Sequence, residues 1–111
     1  MTPADELRTA AEKLRRDATA AHRASPSPWN VTDEKVVRCA DGMIVADRSG
    51  TDHPAERADL PYIATMHPGV GTALAAWLES WTGIEMYEAH SLPEDARHAL
   101  AVARQINGSA P

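Results

Sequence analysis

The single cysteine, Cys39, is the strongest nucleophile in the 111-residue sequence. A catalytic thiolate needs a helix N-terminus or a cationic neighbour to favour its charged form. Cys39 instead lies within KVVRCADGMIVAD, residues 35–47, where alternating side chains predict strands. We therefore expect a buried, unreactive thiol. A lone cysteine also excludes an intramolecular disulfide and a four-cysteine zinc site.

Five histidines, at positions 22, 53, 67, 90 and 98, are the other candidates for acid–base or metal chemistry. No two of them have i, i+4 spacing, and there is no H-E-x-x-H motif. The nearest acidic–histidine cluster, Glu85, Glu88 and His90, is interpreted as solvated polar residues. A G-x-S-x-G motif is also absent. We predict no catalytic residue, no metal site and no cofactor.

The stretch GVGTALA, residues 69–75, places two glycines at the start of a predicted helix, where backbone N–H groups can bind an anion. It lacks the lysine of a phosphate-binding loop and follows no strong strand. We favour a glycine that permits close helix packing. A small-ligand or nucleotide binder is the alternative function, with its pocket expected near Trp29 or the helix start at 67–71.

Composition limits the class of protein. The length predicts one domain over residues 1–111, with frayed ends at 1–3 and 108–111. A net charge of -5 argues against nonspecific nucleic-acid binding, which needs an excess of Lys and Arg. The sequence shows no basic-then-apolar leader and no apolar run near the ~20 residues that cross a bilayer. We expect a cytoplasmic protein without membrane contact.

The elements that must position any site begin with an N-terminal helix. Thr2, Pro3 and Asp5 have the pattern of a capping box. Apolar residues then recur at helical spacing: Leu7, Ala10, Ala11, Leu14, Ala18 and Ala21. We predict an amphipathic helix lying on its own domain, with pairing to a second copy as the alternative.

The stretch RASPSPWNV, residues 23–31, marks the exit from that helix. Pro26 and Pro28 disfavour helical geometry at the serines before them, so the chain leaves in an extended form. Trp29 is expected to anchor the chain against the core, with ligand stacking as the alternative. Residues 29–31 are predicted to form a first strand, joined through a short TDE turn to a hairpin.

Asp41 and Gly42 predict a two-residue hairpin turn in which both residues take positive φ. The predicted partners are Ala40 with Met43, Cys39 with Ile44, Arg38 with Val45, and Val37 with Ala46. One face then forms the core: Val37, Cys39, Ile44 and Ala46. The other face is half apolar, and we predict that it exposes a partner-binding patch of Val36, Arg38, Met43 and Val45.

Three helices are predicted in the second half. Pro61 marks either an early position of a helix capped by Asp59 or a break between two short helices. A second helix starts at Pro68 beside His67 and ends at Gly83. Its predicted core face is Val70, Ala73, Leu74, Trp77, Leu78 and Trp81. If one of these tryptophans is exposed, it becomes a candidate interface anchor.

The C-terminal part contains an ambiguous segment and a last helix. Residues 84–90 fit either a strand or a loop, and SLPE at 91–94 has the pattern of a capping box with proline in the first turn. The helix carries Ala96, Ala99, Leu100, Ala103 and Ile106 on one face and stops at Asn107 and Gly108. The fold class is therefore α+β: an N-terminal helix, an antiparallel β-meander of two or three strands, then about three helices packed on one face.

Several of these stretches together carry a resemblance over roughly residues 5–107. The SPSPW exit, the hairpin, ERADLPYIATMHPGVGTALAAWLE and the closing HALAVARQING resemble small proteins of actinobacteria and of their phages and prophages. The middle of the chain is loosely similar to ead-like accessory proteins of lambdoid phages. No established activity comes with that group. The resemblance implies a cytoplasmic accessory protein that binds host or defence components.

The sequence therefore favours a non-catalytic function through protein–protein interaction. The absence of a catalytic constellation and the half-apolar second face of the hairpin are the grounds for this expectation. A protein partner is expected, self-association as a homodimer is a further option, and nucleic acid is not an expected partner. The alternative remains the small-ligand or nucleotide binder.

Overall fold

The computed structural model describes residues 1–33, 35–50, 57–83 and 92–108. In these ranges the chain forms, in order, α1 (Pro3–Ala24), β1 (Asn30–Val31), β2 (Val36–Arg38), β3 (Ile44–Asp47), α2 (Asp59–Thr65), α3 (Pro68–Ser80) and α4 (Glu94–Asn107). The predicted α+β class is confirmed. The segment 84–90, which fitted a strand or a loop, and Ser91 of the SLPE motif lie outside the described residues. The chain divides into two compact units, one of Met1–Asp17 with Thr72–Pro111 and the other of Ala18–Gly71.

The start of α1 is the predicted capping box. The Thr2 N–H donates to Asp5 Oδ2 at 3.1 Å, and the Asp5 N–H donates to Thr2 Oγ1 at 3.1 Å. Hydrogen bonding to the Asp5 carboxylate by the Thr2 N–H, and then by the Thr2 side chain, lowers the pKa of the Asp5 carboxyl, because it stabilises the charged form. Two of the backbone N–H groups at the N-terminus are thereby satisfied by side chains.

The core of the first unit is helical and rich in alanine. Its buried members come from α1, α3 and α4: Leu7, Ala10, Ala11, Leu78, Ala96, Ala99, Leu100 and Ala103. The half-buried side chains of Trp81, Leu92, Val102 and Ile106 pack against them. The predicted face of α4 is confirmed, because its four buried residues and Ile106 all belong to this cluster.

The predicted core face of α3 is partly wrong. Ala75 and Leu78 are fully buried, whereas Ala73 is exposed and Trp77 is 37% exposed. Gly71, Ala75 and Leu78 follow i, i+4, i+7 spacing and form the buried face of α3. Trp77 immediately precedes Leu78, so its side chain projects from a neighbouring face of the helix. Trp77 is therefore the exposed tryptophan that the sequence analysis named as a candidate anchor, and that role stays a prediction.

Two helix ends also differ from expectation. α3 ends at Ser80, three residues before Gly83, and residues 81–83 form hydrogen-bonded turns. α4 begins at Glu94, and Pro93 is its N-cap residue, with extended ψ of 149° and no side-chain cap hydrogen bond. Pro93 therefore precedes the first turn, contrary to the prediction. The stop at Gly108 is confirmed, since this residue has φ of 70° and its N–H bonds to Arg104 O and Gln105 O.

The second unit holds the sheet, an antiparallel meander of order β1-β2-β3. The predicted three-stranded meander and the pairing of Val37 with Ala46 are confirmed. The predicted pairing of Arg38 with Val45 is wrong, because Arg38 pairs with Ile44 and the register shifts between Val37 and Arg38. The predicted pairing of Cys39 with Ile44 is also wrong, since the Cys39 N–H donates to Met43 O at 3.0 Å.

The turn itself explains this register. The Gly42 N–H donates to Cys39 O at 2.9 Å, so the hairpin loop has three residues, 40–42, and not two. Within the described residues, Gly42 is the member of this loop with positive φ, at 85°, whereas the prediction required positive φ at Asp41 as well. One added loop residue offsets the strands by one, and the irregularity near Val45 restores the predicted register at Val37.

Burial in the sheet differs from strict alternation. Val36, Val37 and Cys39 are 2%, 0% and 6% exposed, so both faces of β2 are covered. The predicted burial of Cys39 is confirmed, but Ile44 is 49% exposed because the offset register moves it off the core face. The core of this unit joins the sheet to α2: Val37, Leu60 and Ala64, with Trp29, Val45, Ala46 and Ile63 packed against them.

Candidate functional site

A groove in the second unit lies between β1 and α2. It is open to solvent, has a volume of about 420 Å³, and we call it the β1–α2 groove. Its lining residues are Pro28, Trp29, Asn30, Val31, Pro61, Ala64, Thr65 and His67. His67 is the titratable residue in this lining, and no residue of the lining carries a permanent charge. The groove therefore suits a largely uncharged ligand.

The wall on the β1 side is set by the helix exit at residues 25–29. α1 ends at Ala24, just before Pro26 and Pro28, as predicted. The predicted extended exit is not confirmed, because the chain bends at Ser25 and Ser27. The Ser27–Pro28 peptide bond is cis. The Trp29 indole Nε1 donates to Ser25 O at 2.8 Å, and its ring packs against the core of the sheet. Trp29 thus anchors the chain, as expected, and it also lines the groove.

The wall on the α2 side comes from a short helix with an early proline. Pro61 is the third residue of α2, so the predicted early position is confirmed. The predicted cap by Asp59 is wrong, because Ala58 is the N-cap residue and makes no side-chain cap hydrogen bond. The Asp59 carboxylate instead accepts a hydrogen bond from Arg48 Nη2 at 2.8 Å, which lowers the pKa of that carboxyl.

β1 forms one edge of the sheet, and both of its residues, Asn30 and Val31, line the groove. Along a strand of an antiparallel pair, the residues alternate. One residue directs both its N–H and its C=O toward the partner strand, and the next directs both away from it. The Thr32 N–H donates to Val36 O at 2.9 Å, so Thr32 is an inward residue. Val31, which faces Val37, is then outward. Its N–H and C=O point away from β2, and its side chain is 43% exposed.

The helix exit, α1 and the start of α3 are joined by a set of hydrogen bonds that we call the Ser27 network: His22, Ser27, His67 and Gly69. The Ser27 N–H donates to His22 Nδ1 at 3.0 Å. The Gly69 N–H donates both to Ser27 Oγ at 3.0 Å and to His67 Nδ1 at 3.1 Å. His67 is therefore the side-chain cap of α3, as its predicted position near the cap indicated.

Gly69 is needed here for close approach. A Cβ at this position would lie 2.7 Å from His67 Cε1, so a larger residue would displace the capping imidazole. The glycine thus makes room for the His67 side chain at the start of its own helix. Close packing between helices, which we predicted for this stretch, is not the reason for a glycine at position 69. Because its N–H is already bonded twice, it is a poor donor for a phosphate.

The Ser27 network does not have the geometry of a catalytic dyad. Ser27 Oγ lies 3.4 Å from His22 Nδ1, but that nitrogen accepts the Ser27 N–H at the shorter distance of 3.0 Å. An activated nucleophile also needs its base to be oriented by a third group. Across the described ranges, the histidine that has a carboxylate within 4.0 Å is His98, beside Glu94. The network therefore holds backbone amides in place.

The predicted partner-binding residues are not brought together on one exposed face. Met43 is 65% exposed, but Val36 is 2% exposed, and Val45 is half-buried against the core of the sheet. Arg38 is half-buried and donates from Nη1 to Gly42 O at 2.7 Å. The prediction that Val36 is exposed is wrong, because β2 is the central strand and is covered on both sides. Partner binding at the remaining residues stays a prediction.

The groove was partly predictable from the sequence. Trp29 and the helix start at 67–71 were the two places where a pocket was expected, and the structure brings Trp29 and His67 into one groove. Asn30, Val31, Ala64 and Thr65 were not singled out as site residues. The short turn predicted after Val31 was the signal that β1 would be an edge strand.

The part of the chain that the structure describes contains no group of three His, Cys, Asp or Glu residues placed to hold a metal ion. In the same residues, no helix combines the length and apolar character needed to cross a membrane. No protein-family profile, curated protein or solved structure matches the chain.

Proposed function

We propose that the protein is a non-catalytic interaction module that binds an extended, uncharged peptide segment of a partner protein in the β1–α2 groove. The observation that carries this proposal is the outward N–H and C=O of Val31 at the edge of the groove. A peptide in extended form can pair with these groups and so add a strand to the sheet.

The chemistry of the lining supports a peptide of this class. An extended segment places alternate side chains on opposite sides, and one set would face Trp29, Pro61 and Ala64. These residues offer apolar surface, and the groove contributes no permanent charge to pair with a charged side chain. A charged residue at these positions would lose hydration without gaining an ion pair.

β1 has only two residues, which limits the hydrogen bonds that the edge can contribute. Affinity must therefore come mainly from the side chains in the groove. Such a contact is smaller than the ~800 Å² per partner of a standard interface, so we expect weak, readily reversible binding. The setting implied by the resemblance, a phage or prophage accessory protein acting on host or defence components, is part of this proposal.

Selection from displayed random heptapeptides, followed by NMR titration of a synthetic selected peptide, tests the proposal. The expected peptide is uncharged at alternate positions and shifts the amide resonances of Val31 and Thr65. Val31→Pro removes the outward N–H without removing a bond to β2, and should weaken binding about tenfold, the loss expected for one hydrogen bond with its desolvation cost.

Val31→Ala is the matched control, because it removes most of the side chain but keeps the N–H. It should weaken binding less than Val31→Pro does. Circular dichroism must show that both variants are folded. The proposal fails if no peptide is enriched, or if Val31→Pro binds the selected peptide as tightly as the parent chain.

The second candidate is a small-ligand binder, because Trp29 and His67 line the same groove. Within this alternative, aromatic, uncharged ligands are favoured over nucleotides, since the Gly69 N–H at the start of α3 is already bonded to Ser27 and His67. A thermal-shift screen of both ligand classes tests it. Stabilisation by a small molecule that Trp29→Ala abolishes would favour this candidate over the peptide.

A further inference from the structure

We infer that His22 and His67 form a pH-sensitive latch, which holds the wall of the β1–α2 groove while both imidazoles are neutral and releases it when they are protonated. The inference adds regulation to the site of the proposed function and rests on it for the role of the groove. Its test needs no bound peptide.

Both imidazoles act in the same way, as hydrogen-bond acceptors through Nδ1. His22 Nδ1 accepts the Ser27 N–H at 3.0 Å, and His67 Nδ1 accepts the Gly69 N–H at 3.1 Å. Since both donors are backbone amides, each Nδ1 has to be the unprotonated nitrogen of its ring. A protonated imidazole carries hydrogen on both nitrogens and has no lone pair left to accept.

The latch joins two segments that line the groove. Ser27 directly precedes Pro28 and Trp29 on one wall, and His67 lies on the other wall. Ser27 Oγ connects the segments, because it accepts the Gly69 N–H at 3.0 Å. Loss of the His22 bond leaves the Ser27 N–H without its acceptor, although Pro26 O keeps its bond from the Ala40 N–H and Ser25 O keeps its bond from the Trp29 indole. Loss of the His67 bond weakens the cap of α3. Protonation therefore acts on both walls.

The groups around His67 in the described part of the chain would not hold its imidazole in place once the ring is charged. His67 stands at the N-terminus of α3, whose partial positive charge repels an imidazolium. The residues of β1 and α2 beside it in the groove are uncharged. Among the described residues, no carboxylate oxygen lies within the 4.0 Å ion-pair distance of His22 or His67.

His22 differs in its surroundings. It lies in the last turn of α1 next to Arg23, where the negative end of the helix favours a cation and the guanidinium disfavours one. Its protonation nevertheless breaks the bond from the Ser27 N–H. For both residues the stabilising contact requires the neutral imidazole, so it is lost when acidification protonates the ring.

Amide hydrogen exchange of Gly69 and Ser27, measured by NMR from pH 7.5 to 5.0, tests the latch. After correction for the intrinsic pH dependence of exchange, protection of the Ser27 amide should fall about five- to tenfold, which corresponds to one ordinary hydrogen bond. Protection of the Gly69 amide should fall less, because its N–H keeps the bond to Ser27 Oγ. The indole N–H resonance of Trp29 should shift over the same pH range. In Ser27→Ala the fall at Gly69 should be larger, because His67 is then the remaining side-chain acceptor.

His67→Asn and His22→Asn keep an acceptor near the position of Nδ1 but do not titrate, and asparagine is a favourable helix cap. Gly69 in the first variant and Ser27 in the second should keep their protection at pH 5.0. His98→Asn is the matched control, since His98 lies on the exposed face of α4 beside Glu94 and its replacement should leave the pH dependence unchanged.

Protection that stays constant with pH in the parent chain would overturn the latch. It would also be overturned if the asparagine variants lose protection on acidification as the parent does. A failure of peptide binding at every pH, with pH-dependent protection intact, would overturn the proposed function and leave the latch standing.

Discussion

The two hairpin loops at the ends of β2 have the same hydrogen-bond pattern but differ at the residue that takes positive φ. In the loop before β2, the Thr32 N–H donates to Val36 O at 2.9 Å and the Lys35 N–H donates to Thr32 O at 3.1 Å. Lys35 has φ of 65°. This lysine is therefore in the left-handed conformation, which a side chain makes unfavourable.

The loop after β2 repeats these contacts with glycine in that position. Cys39 donates to Met43 O, Gly42 donates to Cys39 O, and Gly42 has φ of 85°. The comparison shows that one backbone geometry can be reached with or without glycine when neighbouring contacts support it. At the first loop such a contact exists, because Lys35 O accepts the Arg48 N–H at 3.1 Å just beyond β3.

Of the variants that test the difference between the two loops, Gly42→Val should change the free energy of unfolding most. The position has no heavy atom within 4 Å of a built Cβ, so the cost comes from the backbone alone. A β-branched residue at positive φ should lower the free energy of unfolding by about 2 kcal/mol. Urea denaturation followed by circular dichroism measures it. A loss well below 1 kcal/mol would mean that the loop changes its turn type.

Lys35→Gly gives both loops a glycine at the position with positive φ, and so tests whether strain at Lys35 costs stability. Relief of the left-handed strain outweighs the extra chain entropy of glycine, so the variant should gain about 0.5 kcal/mol of stability. The same urea experiment measures it, with Asp33→Gly as a control at a neighbouring loop position where φ is not positive. Equal effects of the two glycines would show that strain at Lys35 is not the cause.

The smallest effect concerns Asp47, which pairs with Val36 at the Lys35 end of β2. Hydrogen bonding by the Ser49 side chain, together with the bond from the Ser49 N–H to Asp47 Oδ1 at 2.7 Å, lowers the pKa of the Asp47 carboxyl below its ordinary value of 3.8. A lowered pKa means that the carboxylate stabilises the fold above pH 3.8, and that this contribution is lost as the pH falls through the lower folded value.

Acid unfolding of the parent chain and of Asp47→Asn should therefore differ slightly. The parent should lose more stability as the pH falls from about 5 to about 2, because only the parent has a carboxylate to protonate at this position. NMR titration of the Asp47 carboxyl gives its pKa directly. A value at or above that of an ordinary aspartate would contradict the assignment of the Ser49 contact.

Local signals predicted much of the fold. The capping box of Thr2 and Asp5 and the stop at Gly108 depend on residues within a few positions of each other, so the sequence alone reveals them. The hairpin loop was not predictable in detail, because Asp41 and Gly42 are compatible with a two-residue and a three-residue loop. The choice depends on how β3 fits against β2, including the irregularity at Val45.

The candidate site was less predictable, for a physical reason. Trp29 and His67 have side chains that attract attention in a sequence, and both line the groove. Val31 contributes through its backbone, which carries no signal in residue type. Val36 was expected on an exposed face because strands alternate, but a central strand covered on both sides loses that alternation.

The alanine-rich core of the first unit has a consequence for how this sequence can drift. Among the described residues, five of the eight that are buried in this core are alanines, namely Ala10, Ala11, Ala96, Ala99 and Ala103. Alanine has no rotamers to adjust, so a bulkier residue there forces the helices apart, while glycine weakens the helix itself. Substitution is thus penalised in both directions. Over generations, variation should collect at Leu7, Leu78 and Leu100, whose flexible side chains can be exchanged for others of similar volume.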